Sequence, residues 1–299
     1  LPSERLRPRH SNEYAAAAGS NLGTDPPSLR TTYNIGSTTC KNSKTTQATA
    51  NFLGEGYSED DLRFFFEVFY NDGEGQTVAK VVGQNNDPSL EASLDIQYIL
   101  SIGQGAKTWW ISDDDTHDKQ EPFLAWLMQM SNTSNTPIVH SVSYADLEPG
   151  VDIGYAERCD VEFMKAGVRG ISILVASGDD GAGCNTPKTS LVVEWPSSSS
   201  YITSVGATTI PASGKKVESA AAFSGGGFSQ INPRPNYQDA AVKGFLASAG
   251  ERLPAKGFFN ASGRAVPDVS AMGTLFSVIV AQQPTVVAGT SAATPVWSG

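Results

Sequence analysis

The chain has 299 residues, 39% apolar and 17% charged, which is enough to bury a sizeable core and too apolar for a disordered chain. A formal net charge of −10 with no basic patch or stripe excludes an ordinary nucleic-acid binder. No stretch reaches the roughly 18 consecutive apolar residues of a membrane helix, so no membrane span is expected.

The opening Leu1-Pro2-Ser3-Glu4-Arg5 carries no apolar signal-peptide core. The stretch up to about residue 29 is rich in Pro, Ser, Asn and Gly, and residues 1–21 read as a flexible leader or linker. Residues 22–299 read as one folded domain. Ser58 is expected to cap a helix over 62–70, with Asp61 at the reciprocal capping-box position. A short strand follows at 78–82, then a helix over 91–100 with Leu94, Ile96, Ile99 and Leu100 as its apolar residues. Further along, 109–112 reads as a strand, 121–130 as a helix, 138–143 as a strand, and 155–166 as a helix closed by Gly167 or Gly170. Residues 171–176 form a Gly-bounded apolar run, the pattern of a buried parallel strand, and 201–205 is a weaker strand candidate. This alternation predicts an α/β domain with a mostly parallel sheet flanked by helices.

Three cysteines, Cys40, Cys159 and Cys184, match no metal-binding spacing, and the odd count leaves at least one thiol without a partner in the chain. Two glycosylation sequons, Asn132-Thr133-Ser134 and Asn260-Ala261-Ser262, point weakly to a secreted protein.

Four segments could carry chemistry. Gly289-Thr290-Ser291-Ala292 puts a serine at a helix start, where free amides and the positive dipole end could serve a nucleophile. From the pattern alone, a helix cap is the stronger reading. A serine nucleophile needs a base, yet His10 lies in the leader, His117 in a polar loop and His140 inside an apolar strand. Glu91 and Asp95 stand i,i+4 and share one helix face, where they would either repel in solvent or share a proton at a site. Asp179 follows a buried strand, at the sheet edge where α/β active sites form. A protonated aspartic acid there could donate to an oxyanion, although Asp-Gly turns look the same in sequence. Ser224-Gly225-Gly226-Gly227-Phe228 is either a tight turn or a loop that lets backbone approach a ligand.

Together these segments resemble the sedolisin, or serine-carboxyl peptidase, family, and within it the lysosomal tripeptidyl-peptidase branch. The likeness rests on Glu91-Ala92-Ser93-Leu94-Asp95, Ser177-Gly178-Asp179, Ser224-Gly225-Gly226-Gly227-Phe228-Ser229, Gly263-Arg264-Ala265-Val266-Pro267-Asp268-Val269 and Gly289-Thr290-Ser291, in that order. The resemblance implies Ser291 as nucleophile, Glu91 as general base, Asp95 as its orienting partner and Asp179 as oxyanion donor. It implies substrate binding along Ser224, Gly225 and Gly226. It also implies a subtilisin-like fold, peptide or protein substrates, a removable prodomain whose tail is residues 1–21, an acidic pH optimum, and a lysosomal, other vacuolar or secreted location.

A subtilisin proper would carry a His-Gly-Thr motif, which this sequence lacks. The family's calcium site lies well past the nucleophile, so its ligands are expected beyond Gly299, with the domain truncated at its C-terminus and a disulfide partner for Cys184 also lying outside. The competing expectations are an acid endopeptidase of the same family, a histidine-dependent subtilisin-type endopeptidase, and a non-catalytic peptide-binding homologue.

Overall fold

The computed structural model describes residues 23–114, 121–185, 189–210, 217–255 and 257–299. The expected leader, residues 1–21, lies outside the described residues, as do His10 and His117.

The first half of the chain alternates helix and strand: α1 (Pro26–Thr32), β1 (Thr46–Asn51), α2 (Glu59–Phe69), β2 (Lys80–Val82), α3 (Leu90–Ile102), β3 (Lys107–Ser112), α4 (Phe123–Asn132) and β4 (Val139–Val142). It continues with the two-residue β5 (Asp146–Leu147), α5 (Ile153–Val168), β6 (Ser172–Ala176), the two-residue β7 (Glu194–Trp195) and β8 (Thr203–Thr209). Then come β9 (Ser219–Ala220), β10 (Gly227–Pro233), α6 (Asp239–Ala249), β11 (Gly263–Val266), β12 (Val269–Met272), the pair β13 (Phe276–Val280) and β14 (Gln283–Val287), and finally α7 (Thr290–Ser298).

The central sheet runs β12-β8-β6-β4-β1-β3-β2, every neighbour parallel, with β9 antiparallel on β8. This is the α/β architecture the alternation predicted. Two helical layers sandwich the sheet. One holds α3 and α7, with α2 and the β13–β14 hairpin outside α3. Its core includes Phe65, Tyr98, Ile99, Trp110 and Phe276. The other holds α4 and α5 over Phe52, Phe123, Trp126, Phe163 and Trp195. Each such side chain, removed from water, contributes roughly 2–3 kcal/mol. Helix α3 is enclosed on nearly every side, from Ala92 to Ile102, because sheet, α7 and hairpin all pack on it.

Boundaries shift at several expected elements. The 155–166 helix runs on to Val168, and Gly170, at φ +76°, is the glycine that turns the chain. The weak strand at 201–205 is the seven-residue β8. The capping-box expectation is corrected. Ser58 does cap α2 by accepting from Asp61 N at 3.2 Å. The Asp61 carboxylate turns away instead, accepting from Ala281 N, Gln282 N and Gln282 Nε2 at 2.8, 2.7 and 2.6 Å. Ala281 and Gln282 form the β13–β14 turn with φ of 50° and 58°, unfavourable for residues bearing a Cβ. Three hydrogen bonds to a carboxylate hold them there, a stronger pull than one return bond to a helix cap.

Candidate active site

Two helix starts and one strand end build the site. Ser89 caps α3 by accepting from Ala92 N at 3.1 Å, which fixes Glu91 in the first turn and Asp95 one turn later. Helix α7 begins at Thr290, so Ser291 sits in its first turn, half-buried. Asp179, just past β6, is fastened to that same helix start. Its Oδ1 accepts from Thr290 N at 2.6 Å and Thr290 Oγ1 at 2.9 Å, while Thr290 Oγ1 accepts from Gly178 N at 3.1 Å. The carboxyl thus meets the positive end of α7, one residue from Ser291. Gly289 leaves room for it, since a Cβ there would lie 2.9 Å from Asp179 Oδ2.

Helices α3 and α7 pack together and bring Glu91 to Ser291. Burial pushes the Glu91 carboxyl well above its usual range, and Asp95 raises it further. The neighbouring Ser291 hydroxyl acts in the opposite direction, while Glu55 and Asp179 add smaller upward pushes. Asp95 is fully buried and is likewise pushed well up, first by that burial. The Ser143 hydroxyl, 2.7 Å from Asp95 Oδ1, opposes the rise, and Glu55 adds to it. The two carboxyls titrate as a pair and not independently. The i,i+4 spacing is therefore a buried pair rather than a solvated face.

Sequence reasoning missed two further carboxyls. Glu55, in the loop after β1, accepts from Ser89 Oγ at 3.0 Å and Tyr144 OH at 2.8 Å, tying the α3 cap to the segment after β4. Glu194, in β7, is pushed up to about 8 by burial first, then by Asp179, Asp180, Asp146 and Glu121. Its carboxyl packs on Gly178, where a Cβ would lie 2.3 Å from Glu194 Cδ and where φ is +100°. No local pattern signals either residue, because their partners come from distant segments.

The glycine loop lies against Ser177–Gly181. Ser224 Oγ accepts from Ala207 N at 2.9 Å, and Gly225 N donates to Gly178 O at 2.6 Å. A Cβ on Gly225 would stand 1.9 Å from Ser177 O, so glycine is required for this approach. Gly225 thus locks the loop to the Asp179 segment, Gly226 N adds a bond to Gly181 O at 3.3 Å, and Ser224 fastens the loop to β8. His140 is buried on the opposite face of the sheet, against Trp126 at 5.7 Å and Pro137 O at 3.0 Å, as expected of a core residue. Burial pushes it down to about 4. Cys40, Cys159 and Cys184 are all free thiols. Among the described residues no group of three or more His, Cys, Asp or Glu is arranged to hold a metal ion.

Residues 81–299 match the Subtilase family, peptidase family S8. The chain belongs to the subtilase family. It is 42% identical to tripeptidyl-peptidase 1 of Homo sapiens over 310 positions, covering 100% of this chain and 54% of that protein. The Mus musculus tripeptidyl-peptidase 1 is 41% identical over 311 positions, covering 100% and 55%. The chain therefore spans about half the length of the curated relatives it matches. Among solved structures, a Pseudomonas sedolisin (serine-carboxyl proteinase) complexed with pseudo-iodotyrostatin superposes with TM-score 0.68 at 21% identity, over 94% of this chain and 80% of that one. The prenylagaramide maturation protease PagA gives 0.52 at 16%, over 91% and 78%. These likenesses show the subtilisin-like fold.

Proposed function

We propose that this subtilase domain is the catalytic part of an acid serine-carboxyl peptidase that releases tripeptides from free N-termini. The observation that carries the reading is the Glu91 carboxyl against the Ser291 hydroxyl, with Asp95 one helical turn behind it.

In acid, Glu91 is ionised in the fraction of molecules where the pair's proton rests on Asp95. Ser291 Oγ attacks the scissile carbonyl carbon and passes its proton to Glu91. The carbonyl oxygen becomes an oxyanion. Asp179, protonated at the Oδ2 oxygen not held by Thr290, donates to it. Glu91 then gives its proton to the leaving amine, the C–N bond breaks, and an acyl-enzyme remains. Water repeats the sequence in reverse and frees Ser291.

A carboxylate base, with a reference pKa of about 4.3, suits acid, and Asp179 donates only while protonated. Activity is thus expected to fall as pH rises. An acidic compartment, lysosomal or vacuolar, or an acidic extracellular medium fits that requirement, as does an N-terminal prodomain that keeps the site closed until acidification. The loop of Ser224, Gly225 and Gly226 lies beside the Asp179 segment and is assigned to the backbone of the bound peptide. The alternative with His140 as the base loses support, because His140 is buried against α4, on the other face of the sheet.

The test uses the full-length protein at about pH 4, with one peptide bearing a free N-terminus and a copy bearing a blocked one. Release of a tripeptide from the free peptide alone is expected. Equal internal cleavage of the blocked peptide would replace tripeptide release with endopeptidase action.

A further inference from the structure

The face of the sheet beneath α3 is unusually polar for a core. Gln47, Thr49 and Asn51 alternate along β1 toward α3, and Gln47 Nε2 reaches Ile99 O there at 2.8 Å. On β4, Ser141 stands directly opposite Thr49 in the parallel register. Ser143, two residues on, reaches the same face and bonds Asp95. Thr49, Asn51, Ser141 and Ser143 therefore form one patch across two strands, with the Asp95 carboxyl above it. Adjacent strands lie about 4.8 Å apart, so side chains of this patch are immediate neighbours.

Hydrogen bonding in the patch is incomplete in a specific way. Asn51 commits its amide nitrogen to Thr49 Oγ1 at 3.0 Å and Ile111 O at 3.2 Å, which leaves Oδ1 as a pure acceptor. Asn51 Oδ1, Ser141 Oγ and Asp95 Oδ2 are all buried and without a protein partner. Asn51, Ser141 and Asp95 are each 0% exposed, and leaving three such atoms unpaired is costly.

We propose that Asn51 Oδ1, Ser141 Oγ and Asp95 Oδ2 together bind one internal water, making Asn51 and Ser141 positioning residues for Asp95. The donor count matches a water molecule. With Asp95 ionised, the water donates to Asp95 Oδ2 and Asn51 Oδ1 and accepts from the Ser141 hydroxyl. With Asp95 protonated, the water accepts from Asp95 and from the Ser141 hydroxyl and donates to Asn51 Oδ1. Both charge states are satisfied with two to four hydrogen bonds, the usual number for a buried water. The water thus lets the pair's proton move between Asp95 and Glu91 without stranding a buried atom. The other groups facing the pair are Glu55 after β1, Ser143 and Tyr144 after β4, Asp179 after β6 and Ser291 on α7.

The kinetic part of this inference rests on the peptidase reading; the binding site does not. The test pairs a high-resolution crystal structure of the wild-type protein with pH profiles of kcat/KM for the wild type, Ser141→Ala and Ser141→Thr. Ordered density within hydrogen-bonding distance of all three atoms is expected. Because a bond to the ionised pair favours proton loss, Ser141→Ala is expected to move the acid limb up by about half to one pH unit, and Ser141→Thr to restore it. A site without density, or Asn51 and Ser141 bonded directly to protein, would overturn the proposal. So would an acid limb that stays in place in Ser141→Ala, or one that moves equally in Ser141→Thr. A wild-type protein that binds the water yet cleaves nothing at any pH would sink the peptidase reading and leave the water site standing.

Discussion

The two faces of strand β4 solve the same problem in opposite senses. Toward α3, Ser141 and Ser143 line a pocket of carboxyls, where burial drives Glu91 and Asp95 upward so that they hold protons. Toward α4, His140 lies against Trp126, and burial drives it down to about 4, so that it sheds its proton. Both shifts favour the neutral form. In acid, however, the carboxyl face is at ease while the histidine face carries the strain. The proposed acid mechanism uses a base made of carboxyls, and His140 lies on the other side of the sheet from it.

Ser291→Ala acts on the carboxyl face and should lower kcat by about 10⁴- to 10⁶-fold with an unchanged circular dichroism spectrum. Activity within a few-fold of wild type would end the distinction between the faces.

Glu194→Gln probes a second buried carboxyl, packed on Gly178, through stability. The folded pKa of about 8 lies above the ordinary 4.5, so this contribution is complete below 4.5 and is lost as pH rises to about 8. Urea titrations of the wild type should lose about 5 kcal/mol at most across that window, and the variant should lack most of that loss. His140→Gln should show the reverse. The folded pKa of about 4 lies below the ordinary 6.5, so stability is complete above 6.5 and is lost as pH falls to about 4. The variant should avoid an acid loss of about 3 kcal/mol while kcat stays within about twofold. A fall in kcat in His140→Gln at matched stability would return the histidine to the mechanism. The smallest effect is expected from Asp61→Ala, which should cost about 2 kcal/mol by releasing the Ala281–Gln282 turn, read as a lower Tm with unchanged KM.

The same contrast explains what the sequence discloses. The apolar run at 171–176 and the helix pattern at 91–100 are visible because their buried residues are apolar. Strand β1, at the centre of the sheet, is not: its α3 side carries Gln47, Thr49 and Asn51 and its other side only Ala48 and Ala50, so hydrophobic alternation is nearly flat. The β13–β14 hairpin escapes notice because its turn uses Ala281 and Gln282 where glycine or asparagine is usual, with Asp61 supplying the support from 220 residues away. At the site, Glu91, Asp95, Asp179 and Ser291 are visible as motif residues. Glu55 and Glu194 matter only through partners that folding brings to them.

The central claim is that a buried carboxyl pair, rather than a histidine, activates Ser291. The most direct measurement is kcat/KM of Glu91→Gln against the wild type at about pH 4, on the N-terminally free peptide, with the fold checked by circular dichroism. A fall of about 10²- to 10⁴-fold, the usual contribution of a general base, is predicted. A Glu91→Gln enzyme as fast as the wild type would contradict the claim.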